Sequence, residues 1–183
     1  MKVTTDACFM GAVVPVNPGL KVLDIGTGTG LLSLMLAQKA DINLDAIELD
    51  QNAFEQAKAN FKASPWAKNL NPFHAPLQSF EANYKYDLII CNPPFFKSSQ
   101  IGQKANKNKA LHAQHLSMED LAVHAKRCLT EEGHFWVMYP EQEMNEFLVI
   151  AKKQGFHPQY LFRLRNSPQS PLFRMVVKFD LSG

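Results

Sequence analysis

An apolar run, Lys21-Val22-Leu23-Asp24-Ile25, passes straight into Gly26-Thr27-Gly28-Thr29-Gly30 and then into Leu31-Leu32-Ser33-Leu34-Met35-Leu36. Every other segment must accommodate this succession of strand, tight turn and helix. Three glycines within five residues permit positive-φ turns and let a ligand approach the backbone more closely than a Cβ would allow. The helix that follows points its free N–H groups at the same ligand.

The spacing narrows the ligand. A dinucleotide fingerprint is G-x-G-x-x-G, whereas Gly26, Gly28 and Gly30 read G-x-G-x-G. Asp24, inside the end of the strand, places a carboxylate where a pyrophosphate would be repelled and a cationic ligand welcomed. A sulfonium nucleoside carrying an amino acid meets those conditions better than a dinucleotide. Eighteen residues past Gly30 a second apolar run, Leu44-Asp45-Ala46-Ile47, ends in Glu48, the position where a βαβ unit offers a carboxylate to ribose hydroxyls. Asp50 reads as the cap of the next helix.

The 183 residues suffice for one domain, 1–183, with a continuous core around a sheet. At 46% hydrophobic and 20% charged the composition excludes disordered and membrane classes, and no basic region followed by a long apolar run opens the chain. Cys8, Cys91 and Cys128 are odd in number and widely spaced, so neither a disulfide framework nor a zinc site is expected, and the reading is a cytoplasmic monomer without membrane or metal. A net charge of +2 does not by itself indicate a nucleic-acid partner.

The remaining pattern alternates strand and helix. Thr5-Asp6 is expected to cap a short helix through Val14, helices are predicted over Leu31 to Lys39 and Gln51 to Phe61, and strand three is placed at Asn69 to His74 because the alternation demands one. Tyr86 to Cys91 is a clear buried strand, Ser117-Met118-Glu119-Asp120 resembles a capping box for a helix through Leu129, and His134 to Tyr139 is the fifth strand. A helix with Met144, Phe147, Leu148 and Ala151 on one face stops near Gly155. Two closing strands, Gln159 to Arg165 and Leu172 to Phe179, have no helix between them and so pair antiparallel. The expected architecture is α/β: a mostly parallel seven-stranded sheet with an antiparallel edge strand and helices on both faces.

The chemistry is concentrated at Asn92-Pro93-Pro94-Phe95, at the carboxyl end of strand four, beside the crevice where open α/β sheets bind ligands. Consecutive prolines fix two φ angles and hold Asn92 and Pro93 extended. A planar amino group, its lone pair delocalised, becomes nucleophilic only when its N–H bonds are held out of plane. The Asn92 side-chain carbonyl and the Pro93 main-chain carbonyl are a suitable acceptor pair, and Phe95 offers a stacking face.

Asp24-Ile25-Gly26-Thr27-Gly28-Thr29-Gly30 together with Asn92-Pro93-Pro94-Phe95 resembles the class I S-adenosylmethionine-dependent methyltransferases of planar amino nitrogens, which have a Rossmann-like fold. Met1 to Ala7, Ala46 to Asp50, Ser64-Pro65-Trp66-Ala67 and Leu129 to Gly133 are similar, more narrowly, to the bacterial tRNA adenine-N6 methyltransferases of the tRNA1(Val) adenine-37 type. The resemblance implies S-adenosylmethionine as cofactor and tRNA as substrate. It implies that Asp24, Gly26, Thr27, Gly28 and Gly30 cradle the methionine part, that Glu48 and Leu49 meet the ribose side, and that Lys2 and Thr5 lie in a segment closing over the cofactor. Asn92 would border both cofactor and target. An acid after strand three usually binds the cofactor's adenine; here Pro76 stands at that position and the Leu77 backbone N–H takes its place. Relatives extend beyond both ends of the chain.

Other readings use the same residues. The tetrapeptide is shared with protein glutamine N5- and rRNA guanine N2-methyltransferases, and an RNA-binding module that keeps the fold without catalysis is a further alternative. Lys97, Lys104, Lys107 and Lys109, in a stretch without acids, are either a solvated loop or a track for phosphates around an extruded base. His112 and His115 lack a third metal ligand in any plausible pattern. Arg163, Arg165 and Arg174 are expected to face solvent, with RNA contact as the alternative, Trp66 and Trp136 to be core or lid, and Asp87 to be structural.

Overall fold

A computed structural model describes residues 4–93 and 116–182. Among them seven strands form one sheet: β1 (Lys21–Ile25), β2 (Asn43–Glu48), β3 (Leu70–His74), β4 (Tyr86–Cys91), β5 (Leu129–Tyr139), β6 (His157–Arg165) and β7 (Leu172–Asp180), in the order β3-β2-β1-β4-β5-β7-β6. The first five are parallel, and the strand order reverses direction at β1, between β2 and β4. That switch point is where an open α/β sheet leaves a crevice at its carboxyl edge.

The antiparallel end of the sheet differs in one respect from the simplest expectation. β7 is antiparallel to both β5 and β6 and is inserted between them, so the edge itself is β6, which runs parallel to the rest. β3 holds the other edge, where Pro72 is tolerated because one side of the strand makes no ladder bonds.

Helices cover both faces. α1 (Thr5–Val13), α2 (Leu31–Lys39) and α3 (Gln51–Ala63) bury Met10, Leu36, Ala57 and Phe61 against Val22, Leu44, Leu88, Ile90, Trp136 and Val176. α4 (Met118–Cys128) and α5 (Glu141–Lys153) bury Leu121, Ala125, Phe147 and Ala151 against Ile89, Phe135, Val177 and Phe179 on the opposite face.

The caps are partly as expected. Asp50 accepts from Ala53 N at 2.8 Å and Ser117 accepts from Asp120 N at 3.0 Å. Asp120 does not complete a capping box; its carboxylate accepts from Gln78 instead. Thr5 and Asp6 lie inside α1 rather than before it, with Thr4 at the cap position making no side-chain bond. β5 starts five residues earlier than His134, carrying Leu129 to Gly133 into the sheet with a register irregularity opposite Tyr86 and Leu88.

Candidate active site

Ile25 is paired with Cys91, so β1 and β4 leave the sheet side by side as Gly26 and Asn92, about 4.8 Å apart in strand spacing. Alternation along β4 puts Leu88 and Ile90 toward α1–α3, and Asn92 follows on that face. Asn92 is half-buried and its Oδ1 has no hydrogen-bond partner among the described residues, while Pro93 is buried. A carbonyl acceptor left unsatisfied at a strand exit is costly unless something occupies it.

The glycine corner is built to the same end. Gly26, Gly28 and Gly30 have φ of 70°, 61° and 84°. A Cβ on Gly26 would meet nothing within 4 Å and would project into open space, whereas one on Gly30 would run into the Phe61 ring. The loop is fixed by Gly26 N and Thr27 N, which donate to Ile47 O at 2.9 and 3.0 Å, and by Asn60 Nδ2, which donates to Thr29 O at 2.8 Å.

Asp24 is fully buried beneath this loop. Its Oδ2 accepts from Thr27 Oγ1 at 2.7 Å and from Ser33 Oγ at 2.6 Å, while Oδ1 has no partner. Burial pushes its pKa up to about 6 against the pull of the two hydroxyls, and Glu48 adds to the rise. The Thr27 side chain turns inward onto Asp24, which leaves its backbone to face a ligand; of the Asp24 carboxylate, only Oδ1 is without a partner among the described residues.

Glu48 closes the second corner. Oε2 accepts from Gly28 N at 2.7 Å, and Oε1 accepts from Leu49 N and Asp50 N at 2.8 and 2.9 Å. Leu49 is 42% exposed, an apolar side chain with an open face beside that carboxylate. Leu77 is buried in the core and heads a short 3-10 turn, Leu77–Ser79, so its side chain is unavailable and its N–H, the first of the turn, lacks a partner within it. Pro76 caps that turn at the position where an acid was expected.

α1 brings its first turn to this end of the sheet. Lys39, at the far end of α2, donates to Ala12 O and Val14 O near the end of α1, so α1 runs parallel to α2. Asp6 pairs with Arg174 Nε at 3.0 Å, near the start of β7. Arg174 is therefore not solvent-facing as expected; Arg163 and Arg165 are exposed. Thr5 is exposed in the first turn of α1.

Pro94, Phe95, Lys97, Lys104, Lys107, Lys109, His112, His115 and Lys2 lie outside the described residues. Asp87 accepts from Lys21 N at 2.9 Å, a structural role as expected, and Trp136 is a core residue stacked on Phe162. Sequence reasoning missed Ser33 and Asn60, which fasten the loop; Ser33 was signalled as the lone polar residue in Leu31-Leu32-Ser33-Leu34-Met35-Leu36. It also missed the Asp6–Arg174 pair, 168 residues apart, for which the sequence carries no local sign.

A cavity of about 730 Å³ lies at the opposite, amino edge of the sheet, lined among others by Lys85, Asp87, Glu131, His134, Trp136 and Lys178. Its lining includes none of Asp24, Gly26, Gly28, Gly30, Glu48, Leu49, Leu77 or Asn92. Among the described residues no cluster of His, Cys, Asp and Glu is arranged to hold a metal ion, and no helix is long and apolar enough to cross a membrane.

Residues 7–156 match the methyltransferase small domain family. The chain is 39% identical over 181 residues to a tRNA1(Val) (adenine(37)-N6)-methyltransferase of Dyadobacter fermentans, covering 98% of this chain and 75% of that protein. A protein of the same name from Vibrio vulnificus is 37% identical over 183 residues, covering 100% and 77%. Among solved structures, an S-adenosylmethionine-dependent methyltransferase of Thiobacillus denitrificans in complex with S-adenosyl-L-homocysteine superposes with a TM-score of 0.65 at 18% identity, over 87% of this chain and 66% of that one. The buried strand that ends in a three-glycine corner, the carboxylate across from it and the family match agree, and the chain belongs to the methyltransferase small domain family.

Proposed function

We propose that this protein transfers the methyl group of S-adenosylmethionine to the exocyclic N6 of an adenine in tRNA, of the kind found at position 37 of tRNA1(Val). One observation carries the proposal: an unpartnered side-chain carbonyl, Asn92 Oδ1, stands directly across from a glycine corner whose missing Cβ leaves open space. The names of the relatives supply the substrate class.

The residues present fit the cofactor. Gly26 admits close approach, Asp24 Oδ1 is a buried acceptor for an ammonium, Glu48 is an acceptor for ribose hydroxyls, and Leu49 offers an apolar face for the base. S-adenosylmethionine, when bound, supplies a methyl group already activated by its sulfonium. Asn92 Oδ1 and the Pro93 carbonyl hold the two hydrogens of the amino group, localising its lone pair toward the glycine corner. Phe95 stacks on the base and restricts its rotation. The proton leaves to solvent after the new bond forms. Alignment and fixed dipoles account for the rate, because no group on the protein needs to change covalency.

Incubation with undermodified tRNA followed by nucleoside mass spectrometry tests the reading. N6-methyladenosine should appear with the native protein and fall to background with Asn92→Ala. Methylated guanine, or methylation of a glutamine-bearing peptide in place of tRNA, would redirect it. Absence of heat on titration with S-adenosylmethionine would leave an RNA-binding module.

A further inference from the structure

The segment from His157 to Phe179, which comprises β6 and most of β7, contains Arg163, Arg165, Arg174 and Lys178 and no acidic residue. The whole chain has 19 lysines and arginines against 17 acids, so without these four the remainder is acidic by two charges. Like the stretch that holds Lys97, Lys104, Lys107 and Lys109, this hairpin at the open edge of the sheet is an acid-free concentration of positive charge, in which Arg174 is countered by Asp6 and β7 ends in Asp180. Most of β6 is exposed, including Tyr160 at 62% and Leu161 at 40%.

The hairpin also reaches the reaction end. Arg163 pairs with Met175, Met175 with Tyr139, and Tyr139 lies two residues past Val137, the partner of Cys91. Arg163 therefore stands level with Pro93, three strands away, which is about 14 Å at the usual strand spacing. Arg165 stands one side-chain repeat farther toward the reaction end on the same face. Charges at an exposed edge also discourage edge-to-edge pairing, but that purpose is served by either sign, and only one is used here.

We propose that the β6 edge, through Arg163 and Arg165, is a phosphate-binding surface for the RNA strand flanking the target base. The proposal rests on the tRNA reading above. At about 14 Å from the reaction end, the contacted phosphates belong to nucleotides flanking the target base rather than to the target nucleotide itself. One donor of Arg165 is engaged with Ser170 O at 2.8 Å, leaving the rest of its guanidinium at the surface.

The test is equilibrium binding of undermodified tRNA across a salt series, with Arg163→Gln/Arg165→Gln, Arg163→Lys/Arg165→Lys, and the charge-matched control Lys58→Gln/Lys62→Gln on α3. Loss of two phosphate contacts should flatten the slope of log affinity against log salt by about 1.4 to 1.8 and weaken binding about 25- to 60-fold near 0.1 M salt. The lysine pair should keep the slope and the α3 pair should match the native protein. Should the double variant melt early through loss of the Ser170 contact, Arg163→Gln alone should flatten the slope by about 0.8 and weaken binding about 5- to 8-fold. An unchanged slope in the glutamine variants, or an equal fall in the α3 control, overturns the proposal. Binding is read without turnover: failure of the native protein to form N6-methyladenosine would sink the functional reading alone, whereas an unchanged salt slope would sink this one alone.

Discussion

Replacing Asp24 by Asn should stabilise the protein at alkaline pH while weakening its hold on S-adenosylmethionine. Asp24 is completely buried and its pKa is raised from 3.8 to about 6, chiefly by burial. The folded state thus holds this proton more tightly than the unfolded chain, so stability falls as pH rises from about 4 to about 6, and the full cost persists above that window. Two pKa units at about 1.4 kcal/mol each make the cost of charging about 3 kcal/mol. Asn can still accept the Thr27 and Ser33 hydroxyls, but its amino group inherits the place of Oδ1, which has no partner, at a penalty of about 1–3 kcal/mol. That penalty does not vary with pH, so the informative quantity is the difference between variant and native protein at two pH values. Between pH 4.5 and pH 8 the variant should gain about 2 kcal/mol on the native protein, or roughly 4–8 °C in Tm for a chain of this size. Paired thermal melts at the two pH values measure it. A Tm difference that stays constant with pH would refute the argument that a buried charge is being carried here at the expense of stability. Calorimetry with S-adenosylmethionine on the same samples should show weaker binding by the variant, since its amide offers the cofactor's ammonium no negative charge.

Other substitutions separate the parts of the site. Asn92→Ala should lower kcat by roughly 10²- to 10³-fold with little change in cofactor affinity, measured by single-turnover methylation beside calorimetry. Gly26→Ala should cost about 1–2 kcal/mol in urea denaturation, because φ is 70° there, and should abolish cofactor binding by filling the hollow. Arg174→Ala leaves Asp6, whose side chain is 12% exposed, without its ion partner; it should raise the KM for S-adenosylmethionine more than it lowers kcat, and a double-mutant cycle with Asp6→Asn should show coupling.

The first half of the fold was legible because local and global signals agree there. β1, β4 and α2 fall on the expected residues, since apolar runs bounded by turn residues fix both period and limits. β3 was placed by alternation against its propensity, and the edge position explains why Pro72 does no harm. The start of β5 was missed because Thr130-Glu131-Glu132-Gly133 has the composition of a turn; Leu129 pairs with Tyr86 and His134 with Leu88, and the four residues between them make the register irregularity. The insertion of β7 between β5 and β6 was not readable, as a short hairpin connection is compatible with either order. At the site, the glycine corner, Glu48 and Asn92 were visible as motifs, whereas the inward turn of Thr27 onto Asp24 and Ser33 joins residues from the strand, the loop and the helix. The basic character of Arg163, Arg165 and Arg174 was visible, but not that the third pairs with Asp6.

The ion pair between Asp6 and Arg174 has a consequence for biosynthesis. The first helix emerges from the ribosome long before the strand that carries its guanidinium partner, Arg174 standing 168 positions after Asp6. Chains interrupted before that strand still hold the first helix through Met10 and the Lys39 bonds to Ala12 O and Val14 O, but leave the Asp6 carboxylate without its ion partner. One polar fastening of the first helix thus waits for a strand made near the end of synthesis.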